Sequence, residues 1–205
     1  MKKAICRVLL AVLVLCGLAG IGFRIWYVNA TAFTPGSQTF AQGDWVELDG
    51  AFQDASTENT EGYSVRVVNA NYIPYEEFVA RYGETIEYLQ EEMRPQHVID
   101  VEIEVKNKDN TEGFINMSSY YLQTETDSYI PNPDLWNLAN PSCDGRLGFQ
   151  LLPDSQMTFH IPYKPLLARE RKDPGYLLGS RFHLVVSQVP VKKMIPLTLD
   201  IDLRA

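Results

Sequence analysis

Cysteine is nearly absent from the part of the chain that can fold. Of three cysteines in 205 residues, Cys6 and Cys16 lie in a hydrophobic N-terminal run, which leaves Cys143 alone in the remainder and excludes a disulfide within it. An exported domain of this size without bridges fits a bacterial envelope, that of a Gram-positive cell in particular, better than a small ectodomain stapled by several of them. Histidine is equally scarce: His97, His160 and His183 are the whole supply, and no His-Glu-x-x-His or closely spaced His/Cys set marks a zinc site. The chain lacks a Gly-x-Ser-x-Gly elbow, a Ser-x-x-Lys pair, a glycine-rich phosphate loop and a dinucleotide fingerprint. Positive charge is thin as well. Residues 1–43 hold Lys2, Lys3, Arg7 and Arg24 and no acid, so fourteen basic residues face 26 acidic ones in the rest, a formal charge of −12. Such a surface repels phosphate backbones and argues against nucleic acid as a partner. It permits a cationic partner or metal ion, and it also keeps an exported domain soluble.

What is present begins with the N-terminal run. Val8 to Phe23 is uninterrupted by charge and follows a short basic start. Sixteen helical residues reach ~24 Å, short of a hydrocarbon core of ~30 Å. Arg24 can snorkel outward, and Ile25, Trp26, Tyr27 and Val28 then carry the span to ~31 Å with the two aromatics in the interfacial belt. Lys2, Lys3 and Arg7 stay in the cytoplasm by the positive-inside rule, which puts the C-terminal part outside. Ala30-Thr31-Ala32 offers the alternative of a cleaved signal and a secreted product, because its small-x-small pattern suits signal peptidase. Arg24, Trp26 and Tyr27 make an unusual approach to such a site, so a single-pass anchor over residues 1–32 is the expectation. Leu15 before Cys16 argues against a lipoprotein, and Cys6 at the inner boundary can take a palmitate or stay idle.

Residues 33–43 read as a tether, with Thr34-Pro35-Gly36-Ser37 in it, and residues 44–205 as one mainly β domain. Period-2 alternation marks strands at Tyr63 to Ala70, at Val98 to Val105, at Phe114 to Thr124, at Leu147 to Leu152 and around Met157 to Ile161. Two more follow at Phe182 to Val186 and at Leu197 to Leu203. In the cleanest, Ile99, Val101, Ile103 and Val105 share one face and Asp100, Glu102 and Glu104 the solvated other. About seven strands with turns between them predict an immunoglobulin-like two-sheet sandwich. A helical insertion interrupts it at about 74–93, where Phe78, Tyr82, Ile86 and Leu89 recur at helical spacing, Pro74 and Glu76 and Glu77 suit a first turn, and Gly83 can divide the segment. Asn132 to Asn140 reads as a second short helix with Leu135, Trp136 and Leu138 inward.

One internal echo stands out: Glu58-Asn59-Thr60-Glu61-Gly62-Tyr63 matches Asp109-Asn110-Thr111-Glu112-Gly113-Phe114. Two similar hairpin turns are the plain reading, and a shared recognition tip or cation site the sharper one, without EF-hand ligand spacing to support calcium.

For chemistry the sequence assigns no catalytic, cofactor or metal residue. Cys143 sits in the turn-like Asn140-Pro141-Ser142-Cys143-Asp144-Gly145 with no histidine beside it in sequence. His160 and His183 fall on the polar phases of two strands, where two imidazoles would share a face if those strands paired, and His97 opens the cleanest strand. Ordinary exposed strand histidines explain all three. Glu102 and Glu104, ~7 Å apart along a strand, are a carboxylate pair of the kind any solvated face shows. Tyr120, Tyr121, Tyr129, Trp136, Tyr163 and Tyr176 crowd the second half and serve packing or, if exposed together, a protein or glycan contact.

The segments Gly43-Asp44-Trp45-Val46, Thr60 to Val65, Val101 to Asn107, Leu138-Ala139-Asn140-Pro141 and Pro190 to Ile195 together resemble a family of Gram-positive, membrane-anchored proteins that share a domain of unknown function. The likeness runs over most of the chain, anchor included. The valine-rich strand ending at Lys106-Asn107, with the later Leu152-Pro153-Asp154, is also similar to extracellular immunoglobulin-like domains of Firmicute and actinobacterial surfaces, although Asp154 stands where those carry glycine. The resemblance implies a surface location and a sandwich and carries over no site residue. The expectation is a non-enzymatic cell-surface binding domain without a cofactor, held in the membrane by its N-terminal helix and meeting a protein or envelope ligand. The rivals are an envelope hydrolase or metal-dependent enzyme whose site forms only in the fold, and an accessory subunit whose helix packs through Gly17, Ala19, Gly20 and Gly22.

Overall fold

A computed structural model describes residues 2–32, 36–53, 58–170, 172–173 and 175–201. Thr34 and Pro35 of the expected tether, Asp202 and Leu203 of the expected last strand, and the side chains of Lys2, Lys3, Cys6 and Arg7 lie outside that description. The chain divides into two units, Met1–Thr34 and Pro35–Ala205.

The first unit is one helix, α1 (Lys2–Thr31). It runs unbroken past Arg24, with Phe23 against Trp26 and Tyr27 at ring distances of 5.7 and 6.3 Å. Its Val12–Thr31 stretch is long and apolar enough to cross a membrane, a property that signal sequences share.

The second unit mixes helix and strand with strand in excess. In chain order it contains β1 (Gly36–Thr39), β2 (Val46–Glu47), β3 (Tyr63–Pro74), α2 (Tyr75–Arg81), β4 (His97–Asn107), β5 (Ile115–Asn116), β6 (Tyr121–Gln123), β7 (Ser128–Tyr129), α3 (Pro133–Ala139), β8 (Gly148–Phe149), β9 (Ser155–Tyr163), α4 (Leu167–Glu170), β10 (Phe182–Ser187), β11 (Val191–Leu197) and β12 (Asp200–Ile201). One five-stranded sheet has the order β1-β11-β10-β6-β7; a second runs β12-β3-β4-β9 with β2 also beside β3. A small β5-β8 pair completes the strands. Gly36–Thr39, inside the stretch read as a tether, is thus a strand, paired in parallel with Val191 to Met194. The alternation from Leu197 onward, read as one strand, is split: β11 ends at Leu197 in the first sheet and β12 lies against β3 in the second.

The long β3 and β4 hydrogen-bond along their length, and β9 pairs with the far side of β4. Ile99, Val101, Ile103 and Val105 of β4 enter a core shared by both sheets, with Tyr63, Val65 and Tyr72 of β3, Phe159 and Ile161 of β9, and Leu184 and Ile195 of the other sheet. Trp136 of α3 stacks on Phe159 at 6.0 Å, which pins that helix to the sheet. The α3 turn starts as its sequence requires: Asn132 Oδ1 accepts the Leu135 N–H at 3.0 Å and Pro133 occupies the first turn.

The expected helical insertion is a short helix followed by two turns of 3-10 helix, divided at Gly83 as its sequence allows. Pro74 closes β3, α2 stops after Arg81, and Gly83 takes a φ of +80° that ends the turn. The remainder coils as Ile86–Tyr88 and Glu91–Met93 and is tied back by the Leu89 N–H, which donates to Tyr75 Oη at 3.0 Å. This layer makes a second, smaller core of Ile73, Phe78, Val79, Leu89, Val98 and Leu135. It covers one end of the β3-β4 pair on the side away from the shared core, so that end of β4 is buried on both faces. Asp100, assigned to a solvated face by alternation, is consequently fully buried. Phe114 to Thr124 is not one strand either: Asn116 Oδ1 accepts the Ser118 N–H, and a 3-10 turn separates β5 from β6. Asp154 adopts a φ of +57°, in the left-handed region that favours glycine.

Candidate functional site

The helical layer leaves a trough along its border with the start of β4. Its larger part, about 730 Å³, has Pro74, Ile86 and Pro95 as apolar walls, Glu76 and Glu91 at its rim, and His97 at its back. A second hollow of about 480 Å³ continues it through the shared Glu91, Arg94 and Gln96 to Glu92 and Glu170. Acids line both hollows, and the apolar wall belongs to the larger one. Ile86 is 39% exposed within it, and Met93 beside it 40%. Arg94 is held by its own loop, its Nε donating to the Leu89 carbonyl at 2.6 Å. Glu77 is engaged by Arg81 one turn on, at 2.6 Å.

His97 and Glu170 form the floor. His97 is 95% buried and stacks on Tyr72 with ring centres 4.7 Å apart. Glu170, in α4, is 1% exposed, and its carboxylate accepts the backbone N–H groups of Gln96 at 2.9 Å and His97 at 2.8 Å. The His97 Nδ1 lies 3.5 Å from Glu170 Oε1, and neither ring nitrogen has a hydrogen-bond partner among the described residues. Burial, and after it the Glu170 charge, push the Tyr72 phenol well above its ordinary range. His97 is thus no exposed strand residue. Glu170 escaped the sequence reading because nothing around Leu167-Ala168-Arg169-Glu170 signals a buried acid.

The other two histidines go elsewhere. His160 of β9 meets Asp100 of β4, Nδ1 to Oδ2 3.0 Å, with the edge of the Tyr82 ring 6.1 Å away centre to centre. Asn140 holds the His160 backbone from the strand edge, accepting its N–H at 3.0 Å and donating to its carbonyl at 2.7 Å. The hydrogen bond to Asp100 raises the His160 pKa above 6.5, against the opposing effect of burial. His183 is on β10, in the other sheet, so it shares no face with His160. Since His97 pairs in the phase of Ile99 and His160 opposite Glu102, the two imidazoles of one sheet also point to opposite faces.

Residues 37–193 match the family described as a domain of unknown function, DUF5028. The chain belongs to the DUF5028 family. No curated protein and no solved structure matches it. The DUF5028 match extends from β1 to β11 and contains the whole trough, both histidine-carboxylate pairs and the repeated turns.

Within the DUF5028 domain those turns come together. Asn110 Nδ2 donates to the carbonyls of Asn59 at 3.1 Å and Glu61 at 2.7 Å, while its Oδ1 accepts the Glu112 N–H at 3.0 Å and the Gly113 N–H. A side chain at Gly113 would collide with the Asn59 carbonyl and the Asn110 amide, which explains the glycine there. An amide donor occupies the centre that a cation would need, and among the described residues no group of three metal-ligating side chains occurs.

The remaining candidates separate. Cys143 lines a smaller hollow of about 280 Å³ with Phe149, Met157 and Phe159, and burial pushes its thiol pKa up. Glu104 is tied to Arg66 across the strands, with the Arg66 guanidinium 4.7 Å over the Trp45 ring, so it makes no pair with Glu102. Tyr120, Tyr129, Trp136 and Tyr163 are core residues, and Tyr121 and Tyr176 are half-buried. Sequence reading also missed Lys193, which shares the inward phase of β11 with Ile195 and is 95% buried.

Proposed function

We propose that this DUF5028 protein is a non-enzymatic interaction module of a Gram-positive envelope: an immunoglobulin-like sandwich displayed outside the membrane by α1, with the trough beside the helical layer as its docking surface. The observation that carries the reading is the trough itself, a hollow of about 730 Å³ with exposed Ile86 in its wall and no serine, threonine, cysteine or lysine among its described lining residues. The Glu170 carboxylate beside His97 is committed to two backbone N–H groups, as a structural acid is, which favours binding over general-base chemistry. The sandwich reading is supported by connectivity: β4 pairs with the distant β9 in one sheet, while β6 pairs with β10 in the other and β1 runs parallel to the late β11. The apolar helix and the basic residues before it support the anchor and its orientation.

A photoreactive amino acid placed at Ile86 of the full-length protein in its native cells, with the same probe at exposed Leu178 as control, tests the docking surface. Adducts specific to position 86 are expected, lost on Ile86→Asp in an otherwise identical protein probed at Ala80. Equal labelling from both positions would remove the trough from the account. Turnover of a cell-wall, peptide or ester substrate by the purified protein, abolished by His97→Gln, would replace binding by catalysis.

A further inference from the structure

Resting on that docking surface, we infer what it takes: an extended peptide segment that carries a basic and an apolar side chain on one face. The argument starts from the two halves of the trough. Pro74, Ile86 and Pro95 offer an apolar end, and exposed Ile86 leaves apolar surface in contact with water that an aliphatic side chain would cover. Glu91, Glu92 and Glu170 line the other end against one base, Arg94, whose Nε is already held by Leu89.

Among the described residues neither Glu76 nor Glu91 forms an ion pair, whereas Glu77 is matched by Arg81. Both rim acids sit on a domain that already carries a formal charge of −12 over residues 44–205, a field that draws cations and repels acidic chains. A buried polar group points the same way. His97 at the back of the trough is 95% buried with both ring nitrogens lacking hydrogen-bond partners among the described residues, and an entering N–H donor would supply one.

Shape decides between a small amine and a chain. The two hollows adjoin at Glu91, Arg94 and Gln96, which sets the apolar wall of one beside the acids of the other. Side chains two residues apart, which share one face of an extended peptide, would reach these two stations together; a lone amine would leave the apolar end empty.

Full-length protein in detergent micelles, labelled at isoleucine methyls, tests this with three acetylated and amidated peptides of one length that carry Leu and the tested residue on one extended face: repeats of Leu-Ser-Lys-Ser, Leu-Ser-Gln-Ser and Leu-Ser-Glu-Ser, written Leu-Lys, Leu-Gln and Leu-Glu below. The expected result is saturable movement of the Ile86 methyl with Leu-Lys, weaker movement with Leu-Gln and none with Leu-Glu, while Ile195 in the shared core stays still. Raising salt from about 0.05 to 0.5 M should abolish the preference for lysine, because screening shortens to a few Å. Glu91→Gln should weaken Leu-Lys binding about two- to fivefold and leave Leu-Gln unchanged. Equal movement with all three peptides, or a preference for Leu-Glu, overturns the basic ligand and leaves the trough a docking surface. Silence of Ile86 with every peptide overturns both.

Discussion

Asp100 has no exposed surface, and its carboxylate faces the Nδ1 of His160 at 3.0 Å from one strand to the next. A buried carboxylate left alone is costly, and this imidazole supplies its charge-assisted hydrogen bond. Because that bond raises the His160 pKa above 6.5, the protonated ring is favoured by the folded chain. The stabilisation is fully present below the unfolded value of about 6.5 and is lost as pH rises through the higher folded value. Denaturant midpoints of the full-length protein, followed by tryptophan fluorescence between about pH 5 and 9, should fall over that window. In His160→Gln the slope there should flatten. An unchanged slope would mean that the ring is not the group titrating.

Lys193 tests a different buried charge. Its Nζ donates to the carbonyls of Glu47 and Leu48, the latter at 3.0 Å, and to Asp49 Oδ2 at 3.2 Å, which ties the strand β11 of one sheet to the end of β2 in the other. Asp49 is 72% exposed, so water screens its share. The carbonyls are the partners that matter. Lys193→Met should cost about 2–4 kcal/mol, several hydrogen bonds to a charged donor being lost at once, whereas Asp49→Ala should cost less than about 1 kcal/mol. Comparable losses in the two variants would assign the stabilisation to the ion pair instead.

The paired turns predict indifference to calcium. Asn110 fills the space between Asn59 and Glu61 with an N–H donor, so removing it should loosen both loops rather than vacate a cation. Asn110→Ala is expected to cost about 1–3 kcal/mol and Gly113→Ala at least as much, while Glu112→Gln, at an exposed position, changes little. Millimolar calcium should leave the melting curve of the wild-type protein where it was. A calcium-dependent rise that Asn110→Ala enhances would show that oxygens and not the amide command the site.

Legibility in the sequence followed how local the cause was. Alternation found the inward face of β4, Ile99 to Val105, because a strand's period is fixed by its own backbone. Asn132 and Pro133 announced α3 for the same reason, since a cap acts within three residues. Asp100 was misplaced because alternation reports which face a side chain points to and not what covers that face; Phe78, Leu89 and Leu135 arrive there from other elements. Glu170 reaches His97 from a position 73 residues later, and no local pattern encodes that meeting. The repeated Asn-Thr-Glu-Gly was visible as an echo, but the fact that its two copies bind each other depends on the β3-β4 pairing that sets Gly62 beside Lys108.

One measurement separates a membrane span from a cleaved signal at the N-terminal helix. The helix α1 continues through Trp26 and Tyr27 to Thr31, where the Thr31 hydroxyl donates to the Tyr27 carbonyl at 2.7 Å, so Ala30-Thr31-Ala32 is helical up to Thr31. Signal peptidase needs an extended stretch at its cleavage site, and a helix carrying an arginine and two bulky aromatics within the preceding eight residues resists one. The mature protein in membranes should therefore keep its N-terminus, as read by intact mass, and should stay with the membrane fraction after a carbonate wash. Replacing Ile25, Trp26 and Tyr27 by serine shortens the apolar span to ~24 Å and should release a cleaved product into the medium. Recovery of the wild-type chain beginning at residue 33 would make α1 a signal, and the domain a secreted one.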